Sequence, residues 1–462
     1  MSRLVIASNR VADLDKNAQS GGLAVALGDA LRSVGGVWFG WDGAVEQDGA
    51  ALDIKIAHHD NVTVATIPMT ESDYQEYYLG FANKVLWPVC HYRLDLCNFQ
   101  TSYFEGYKRV NARFAETMAS LLNPTDLVWA HDYHLISLAS ELRRHGVNNR
   151  IGFFLHIPFP PPEMLHAIPV YDWLIEALFQ FDVVGFQTTT DLNNFKRFVT
   201  EEAGGEVWDD GGVKAFGRTI IANAYPIGID VEAFAESART PAANAHIARL
   251  NRRTLAQSHI IGVDRLDYTK GLPDRFNAYH RLLDEHPEHH KKVTLMQIAP
   301  PTRSDVEAYA NIKQELEALS GAINGEFGDF DWTPVRYIHR NIPRETLAAL
   351  FRGCRVGLVT PLRDGMNLVA KEYVAAQDAD DPGVLILSRF AGAAEYMQES
   401  LIVNPYDIDD MASAMQAALI MPLEERQERH AALYAGIVQN DVRRWRETFL
   451  VALAFRPQEV AA

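Results

Sequence analysis

Arg265 and Lys270 stand five residues apart in the segment Gly-Val-Asp-Arg-Leu-Asp-Tyr-Thr-Lys-Gly at 262–271, directly after a run of apolar, β-branched residues. Two fixed cations on a strand-to-helix loop can neutralise a diphosphate leaving group, Arg through a forked pair of hydrogen bonds and Lys as a point charge. The plainer reading is a surface loop whose cations pair with Asp264, Asp267 or Asp274. A second segment, Thr-Pro-Leu-Arg-Asp-Gly-Met-Asn-Leu-Val-Ala-Lys-Glu at 360–372, shifts that balance. It also leaves an apolar run and enters a helix, so backbone N–H groups near Asn367 and Leu368 would face a bound anion. Glu372, one turn further on, could accept from ribose hydroxyls, although alone Lys371 and Glu372 would pass for ordinary helix-surface charges. Two phosphate-type loops in consecutive strand–helix units describe a nucleotide-sugar site.

The first half offers a different chemistry. Ser8-Asn9-Arg10 ends an apolar run, and Ser20-Gly21-Gly22-Leu23 opens a helical pattern where glycine lets the backbone approach a ligand. The G-x-G-x-x-G spacing of dinucleotide folds is missing there, which disfavours hydride transfer. Trp38, Trp41, Tyr77, Tyr78, Trp87 and Tyr92 cluster in sequence. Aromatic rings with a polar edge suit a sugar, while core packing is the bland alternative and the expected place for Trp38. Asp132 and His156 lie at or just beyond the C-terminal ends of the apolar runs at 127–130 and 151–156, where parallel sheets present catalytic groups. His131 and His134 lack a third ligand at a telling spacing, and Asp329-Phe-Asp331 and Asp407-Ile-Asp409 follow no convincing strand, so no metal is expected.

These groups need a scaffold of some size. At 462 residues the chain exceeds one ordinary core, and its 48% apolar and 22% charged residues are those of a globular protein. No apolar run approaches the roughly 18 residues of a membrane span, and the N-terminus lacks a signal-peptide pattern. Three cysteines, Cys90, Cys97 and Cys354, form no C-x-x-C pair, which fits reduced structural thiols and a cytoplasmic location. A net charge of −17 argues against nucleic acid or an anionic membrane as partner, so anionic substrates require local clusters such as Arg10, Arg265 with Lys270, Arg303, Arg340 and Arg363.

Short β-rich runs at 4–8, 127–130, 151–156, 183–187, 260–263, 293–298, 335–338, 356–359, 384–387 and 401–403 predict strands. Helical periodicity at 23–34, 107–122, 135–145, 272–285, 306–319 and 368–377 alternates with them, so the fold class is α/β with parallel sheets covered on both faces. Pro226 and Gly228 mark a junction at 225–230, followed by a weakly patterned stretch at 236–245 and a second Rossmann-like unit from Ile260. The tail from Asp441, with Trp445, Phe449 and Leu453 four apart, predicts an amphipathic helix whose apolar face must be buried.

Taken together, the motifs resemble those of the trehalose-6-phosphate synthases, retaining glycosyltransferases of the GT20 type with a GT-B fold of two Rossmann-like domains facing across a cleft. The resemblance runs nearly end to end. It is carried by 4–10, Trp38-Phe-Gly-Trp41, Val85-Leu-Trp-Pro88, His91-Tyr-Arg-Leu94, His131-Asp-Tyr-His134, His156-Ile-Pro-Phe-Pro160, Arg265-Leu-Asp-Tyr-Thr-Lys-Gly271 and Arg363-Asp-Gly-Met-Asn-Leu-Val369. It implies an acceptor domain at 1–228, a donor domain at 229–440 and a C-terminal helix at 441–462 that packs back on the first.

The resemblance also implies ligands. UDP-glucose would be held by Arg265 and Lys270 at the diphosphate, by Glu372 at the ribose, and by His156, Asp364, Gly22, Met366 and Asn367 at the glucose, with Leu368, Val369 and Arg340 also in the donor site. Glucose 6-phosphate would meet Arg10, Tyr78 and Arg303 at its phosphate side, with Trp41, Trp87 and Asp132 around the sugar. Asp132, His156, Arg265, Lys270 and Asp364 form the implied catalytic set, acting without cofactor or metal to give α,α-trehalose 6-phosphate and UDP. Removal of the phosphate is expected to need a separate trehalose-phosphate phosphatase. Backbone contacts near 339–342 leave ADP-glucose and GDP-glucose open as donors, and nothing in the pattern decides between a monomer and a homo-oligomer. Two other readings stay open: a different acceptor on the same fold, as in relatives that make glucosylglycerol phosphate or couple a cyclitol through nitrogen, and a catalytically silent sugar-phosphate sensor.

Overall fold

The computed structural model describes residues 2–12, 26–28, 31–32, 34–253, 258–301 and 307–455. The chain divides into two compact units: Met1–Ile227 with Arg443–Ala462, and Gly228–Val442. Gly22 and Arg303, both named above as ligand-binding, lie outside the described residues.

The first unit holds ten strands among the described residues: β1 Leu4–Arg10, β2 Gly36–Glu46, β3 Lys55–His59, β4 Val62–Thr70, β5 Leu127–His131, β6 Arg150–Phe154, β7 Val183–Phe186, β8 Glu206–Val207, β9 Gly212–Ala215 and β10 Arg218–Ala224. They line up as β3-β4-β2-β1-β5-β6-β7-β10-β9-β8. The central run from β4 to β10 is parallel, and β3, β9 and β8 add antiparallel edges. The sequence pattern marked β1, β5, β6 and β7 but not β2, the β3–β4 hairpin or the β9–β10 hairpin. Mixed exposure along β4 and β10 blurs the apolar run that betrays a strand buried on both faces.

The second unit holds β11 Ser258–Val263, β12 Val293–Ile298, β13 Val335–Ile338, β14 Val356–Val359, β15 Val384–Ser388 and β16 Leu401–Val403. Every pairing is parallel, in the order β13-β12-β11-β14-β15-β16. That is the doubly wound dinucleotide-fold order, with its reversal between β11 and β14. Strands β12, β14 and β15 are buried at every residue, which is why they read so clearly from sequence. The stretch at 236–245 departs from expectation: helices Val231–Ser237 and Pro241–Arg253 cover most of it. Asp230 caps the first of these, and the second has just Ile247 and Leu250 as large apolar residues in its sequence.

The expected C-terminal helix spans Val442–Ala454 and buries Trp445, Phe449 and Leu453 in the first unit. Phe449 stacks on Trp129 of β5 at 4.6 Å, and Trp445 lies 4.9 Å from the same ring. Gly152 and Gly185 make this possible, because a Cβ on either would stand under 3 Å from the Phe449 ring.

Candidate active site

In each unit the strand order reverses once along the parallel run, between β1 and β5 in the first and between β11 and β14 in the second. Chains leave the two strands beside such a reversal in opposite directions and open a crevice at their carboxyl ends. Arg10 ends β1 and Asp132 follows β5; Arg265 and Lys270 follow β11, and the segment 360–367 follows β14.

At the first reversal the Arg10 guanidinium lies over the Trp41 ring at 5.6 Å. Gly43, at φ +92°, leaves room for it, since a Cβ there would come within 2.6 Å of the Arg10 side chain. Trp41 and Tyr78 meet at 5.7 Å, and Tyr78 stacks between Tyr74 at 5.5 Å and His134 at 6.0 Å. Tyr74 and Tyr78 come from Tyr74–Leu86, a π-helix that no sequence signal announced. Trp41 is nearly buried and its indole N–H donates to the Ala44 carbonyl at 2.7 Å, so a ligand can meet only its ring. Trp87, also nearly buried, packs 5.8 Å from Tyr133, the neighbour of Asp132. Trp38 is in the core, as expected, its N–H given to Ser8.

Asp132 adopts φ 74° and ψ 166°, a region that essentially only glycine occupies without strain. Its N–H donates to the Phe154 carbonyl at 2.8 Å, and its Oδ1 accepts from the His156 backbone N–H at 3.2 Å, so strand β6 holds the strained residue in place. The His156 ring is also fixed. Gln187 accepts from the Ile227 N–H at 3.1 Å, which turns its NH2 group toward His156 Nδ1 at 3.4 Å. With Nδ1 accepting, the imidazole proton sits on Nε2 and points to His131 Nδ1 at 3.1 Å. Burial takes the His156 pKa down to about 3, and burial with the neighbouring His156 takes His131 well below the usual value, so both rings are neutral. A neutral imidazole with both nitrogens engaged orients its surroundings and is a poor general base.

At the second reversal Lys270 Nζ lies 2.5 Å from Asp364 Oδ2, which also accepts from Asn367 Nδ2 at 3.0 Å. The two loops are joined along their backbones, Leu362 N–H to the Thr269 carbonyl at 2.8 Å. Gly271, at φ +61°, permits that approach, because a Cβ would stand 2.8 Å from the Thr360 carbonyl oxygen. Arg265 is half-exposed, with Nη2 3.9 Å from Asp267 Oδ2, one of the partners the plainer reading named. Asn367 caps the helix Leu368–Ala376 from φ 80°, its side chain accepting from the Ala370 N–H. The N–H groups of Leu368 and Val369 remain at the helix mouth, where the helix dipole favours an anion. The buried Met366 lies in the same loop, its carbonyl accepting from Ala393 at 2.7 Å. Glu372 is largely buried, which lifts its pKa to about 7 against the opposing pull of Arg344. Arg340 is exposed just past β13, two strands away from the reversal.

Sequence reasoning missed Gln187, which sets the His156 tautomer, and Arg275, which braces both loops at the second reversal. Arg275 is fully buried, donates to Thr360 Oγ1 at 3.1 Å and Gln297 Oε1 at 2.8 Å, and forms an ion pair with Asp264 Oδ2 at 2.8 Å. A signal for it exists. On the helix Leu272–Glu285, Arg275 occupies the apolar stripe with Leu272, Phe276, Tyr279 and Leu283, and a charge on a buried stripe must have partners. Among the described residues no group of three or more His, Cys, Asp or Glu stands close enough to hold a metal ion.

Comparison with known proteins gives the arrangement its relatives. The model of glycosyltransferase family 20 matches residues 3–454. The trehalose-6-phosphate synthase of Cronobacter sakazakii is 49% identical over 451 residues, covering 97% of this chain and 94% of that protein. An α,α-trehalose-phosphate synthase (UDP-forming) from Burkholderia xenovorans, solved in complex with glucose-6-phosphate, superposes with a TM-score of 0.95 at 50% identity, covering 98% of this chain and 100% of that one. A structure of trehalose-6-phosphate from E. coli bound with UDP-2-fluoro glucose gives 0.93 at 46% identity, with 99% and 100% coverage. With its two Rossmann-like units the protein has the GT-B fold. Similarity of this extent, with the motif residues gathered at the two reversals, establishes that the chain belongs to glycosyltransferase family 20.

Proposed function

We propose that the protein transfers glucose from UDP-glucose to glucose 6-phosphate with retention, giving α,α-trehalose 6-phosphate and UDP. The observation that carries this is the sorting of candidate residues onto two strand-order reversals: Arg10, Trp41, Tyr78 and Asp132 at one, Arg265, Lys270, Asp364 and the helix mouth at Asn367 at the other. The relatives supply the matching ligands, glucose-6-phosphate in the Burkholderia structure and UDP-2-fluoro glucose in the E. coli one.

In this reading the first unit takes the acceptor and the second the donor nucleotide. The bond from the glucosyl anomeric carbon to the β-phosphate oxygen breaks with its electron pair leaving on UDP. The new bond forms to the anomeric hydroxyl of glucose 6-phosphate on the same face, and the hydroxyl proton passes to the departing phosphate oxygen. Charge therefore builds on the diphosphate, and Arg265, Lys270 and the N–H groups of Leu368 and Val369 are the groups that stabilise it. Lys270 must exchange Asp364 for phosphate as the donor arrives, which releases the Asp364 carboxylate toward the glucosyl hydroxyls. Asp132, strained and anchored to β6, orients the acceptor, and neutral His156 shapes the glucose subsite. Fixed cations take the role often given to a divalent ion at a diphosphate, so turnover should be metal-independent. The setting is cytoplasmic in this reading, with Cys90 and Cys354 inert because burial pushes both thiols up.

The test is nucleoside diphosphate release from each nucleoside diphosphate-glucose with each of several acceptors, with the product identified. UDP-glucose and glucose 6-phosphate should give the highest kcat/KM, unchanged by EDTA. No product from any donor, or a clear preference for another acceptor, would reject the assignment.

A further inference from the structure

We propose that Arg344 is a positioning residue of the donor site, keeping the Glu372 carboxylate ionised and aimed as a two-oxygen acceptor for the vicinal ribose hydroxyls. The proposal rests on the reading of Glu372 as the ribose acceptor.

Arg344 opens the helix Arg344–Gly353, which packs against the helix Leu368–Ala376 that carries Glu372. Its Nε stands 3.9 Å from Glu372 Oε1, beyond hydrogen-bond reach yet close enough for strong attraction away from water. That Nε is buried and has no hydrogen-bond partner in the structure, so a buried donor is left waiting beside the carboxylate. Such a donor costs stability unless it gains an acceptor, and a small approach of Glu372 on ligand binding would supply one. The guanidinium is held from the other side by Phe234 of the helix Val231–Ser237, whose ring centre lies 5.0 Å from Cζ. A planar cation stacked on an aromatic face has little freedom to turn, which a lysine would not reproduce.

Glu372 needs that help. A carboxylate accepts from both hydroxyls of a diol, whereas a protonated acid spends one oxygen as a donor. Burial favours the protonated form, and the charged side chain that opposes it is Arg344. Other groups around the helix are occupied elsewhere. His430, from the helix Leu423–Gln439, bonds the Val374 carbonyl at 3.1 Å, and Arg426 of the same helix pairs with Asp381. Lys371, adjacent on the Glu372 helix, is itself buried and depressed to about 7.

The experiment compares wild type, Arg344→Met, Arg344→Lys, Glu372→Gln and the Arg344→Met/Glu372→Gln double variant. Measured are UDP affinity by calorimetry and donor KM, acceptor KM and kcat between pH 6 and 8.5. Arg344→Met should raise donor KM several-fold at pH 7, move the acid loss of donor affinity upward by about one pH unit, and leave acceptor KM unchanged. Arg344→Lys should restore part of the affinity. In the double variant Arg344→Met should add nothing to Glu372→Gln, because it acts only through that carboxylate. Should Arg344→Met fail to fold, Phe234→Leu carries the same comparison in milder form. Additive losses, or an unshifted pH profile, would overturn the positioning role. Failure of the wild type itself to bind UDP would instead overturn the donor reading, and this role with it.

Discussion

At the scale of single residues, the proposed site is marked by conformations that a protein keeps only under constraint. Asp132 at φ 74° and Asn367 at φ 80° are non-glycine residues in left-handed backbone, and each stands where one unit's strand order reverses. Strain of this kind costs about 1–3 kcal/mol. Asp132→Gly is therefore expected to hold or raise the melting temperature while turnover falls at least roughly tenfold; a clear loss of stability would show that the backbone there is unstrained. The pH profile follows from burial. Glu372, lifted to about 7, loses its negative charge as pH falls through that value, so kcat/KM for the donor should decline below about pH 7. Its effect on stability has the opposite sign: a raised folded pKa stabilises at low pH, and that contribution is lost as pH rises through about 7. His156, depressed to about 3, stays neutral across this range and adds no limb to the rate profile. It does contribute stability that is present above the ordinary imidazole pKa and lost as pH falls toward 3, so melting temperature should drop in acid below about pH 6.5. Arg265 and Lys270 could be picked out of the sequence because they sit in a short polar segment after an apolar run, and Glu372 because it lies about one turn into the helix that a second such segment opens. Gln187 and Arg344 could not, because what they do depends on partners 28 or more residues away, whereas Arg275 left a signal in the charge it places on an apolar stripe.

At the scale of elements, one mixed and one parallel sheet do the positioning. Strands buried on both faces, such as Val293–Ile298 and Val356–Val359, were legible to the residue, because a short, mostly apolar run with Val or Ile at its ends fits a buried strand. Edge hairpins and the π-helix Tyr74–Leu86 were not, since partial exposure and an unusual hydrogen-bond period leave no simple pattern. The two loops at the second reversal are braced by Arg275, and Gly262 in β11 makes the space for it. A Cβ at Gly262 would run into the Arg275 guanidinium and the Gln297 amide. Gly262→Ala should therefore cost about 1–3 kcal/mol and raise donor KM with acceptor KM unchanged, measured by thermal melts and initial rates. Equal stability and equal donor KM would contradict the bracing role. The C-terminal helix gives a second test. Trp445 is buried against Trp129 and Phe154, so Trp445→Ala should lose about 3–5 kcal/mol of stability, and a loss under about 1 kcal/mol would mean that the helix is not part of that core.

At the scale of the whole molecule, a chain with a net charge of −17 is assigned two anionic substrates, and only concentrated local cations reconcile the two. Arg10 in one unit and Arg265 with Lys270 in the other meet that need, so lesions in the two units should separate by substrate. Arg10→Met should raise KM for glucose 6-phosphate while the donor KM stays near wild type, and Lys270→Met should lower kcat by about 10²–10³ by removing a cation from the developing diphosphate charge. The most direct measurement is the reaction itself: purified protein with UDP-glucose and glucose 6-phosphate, UDP quantified, and the sugar product dephosphorylated and characterised by proton NMR. The account predicts one UDP per disaccharide and a single α-anomeric signal from two equivalent glucoses. UDP release no faster than without acceptor, or a product with a β or reducing anomeric centre, would contradict it.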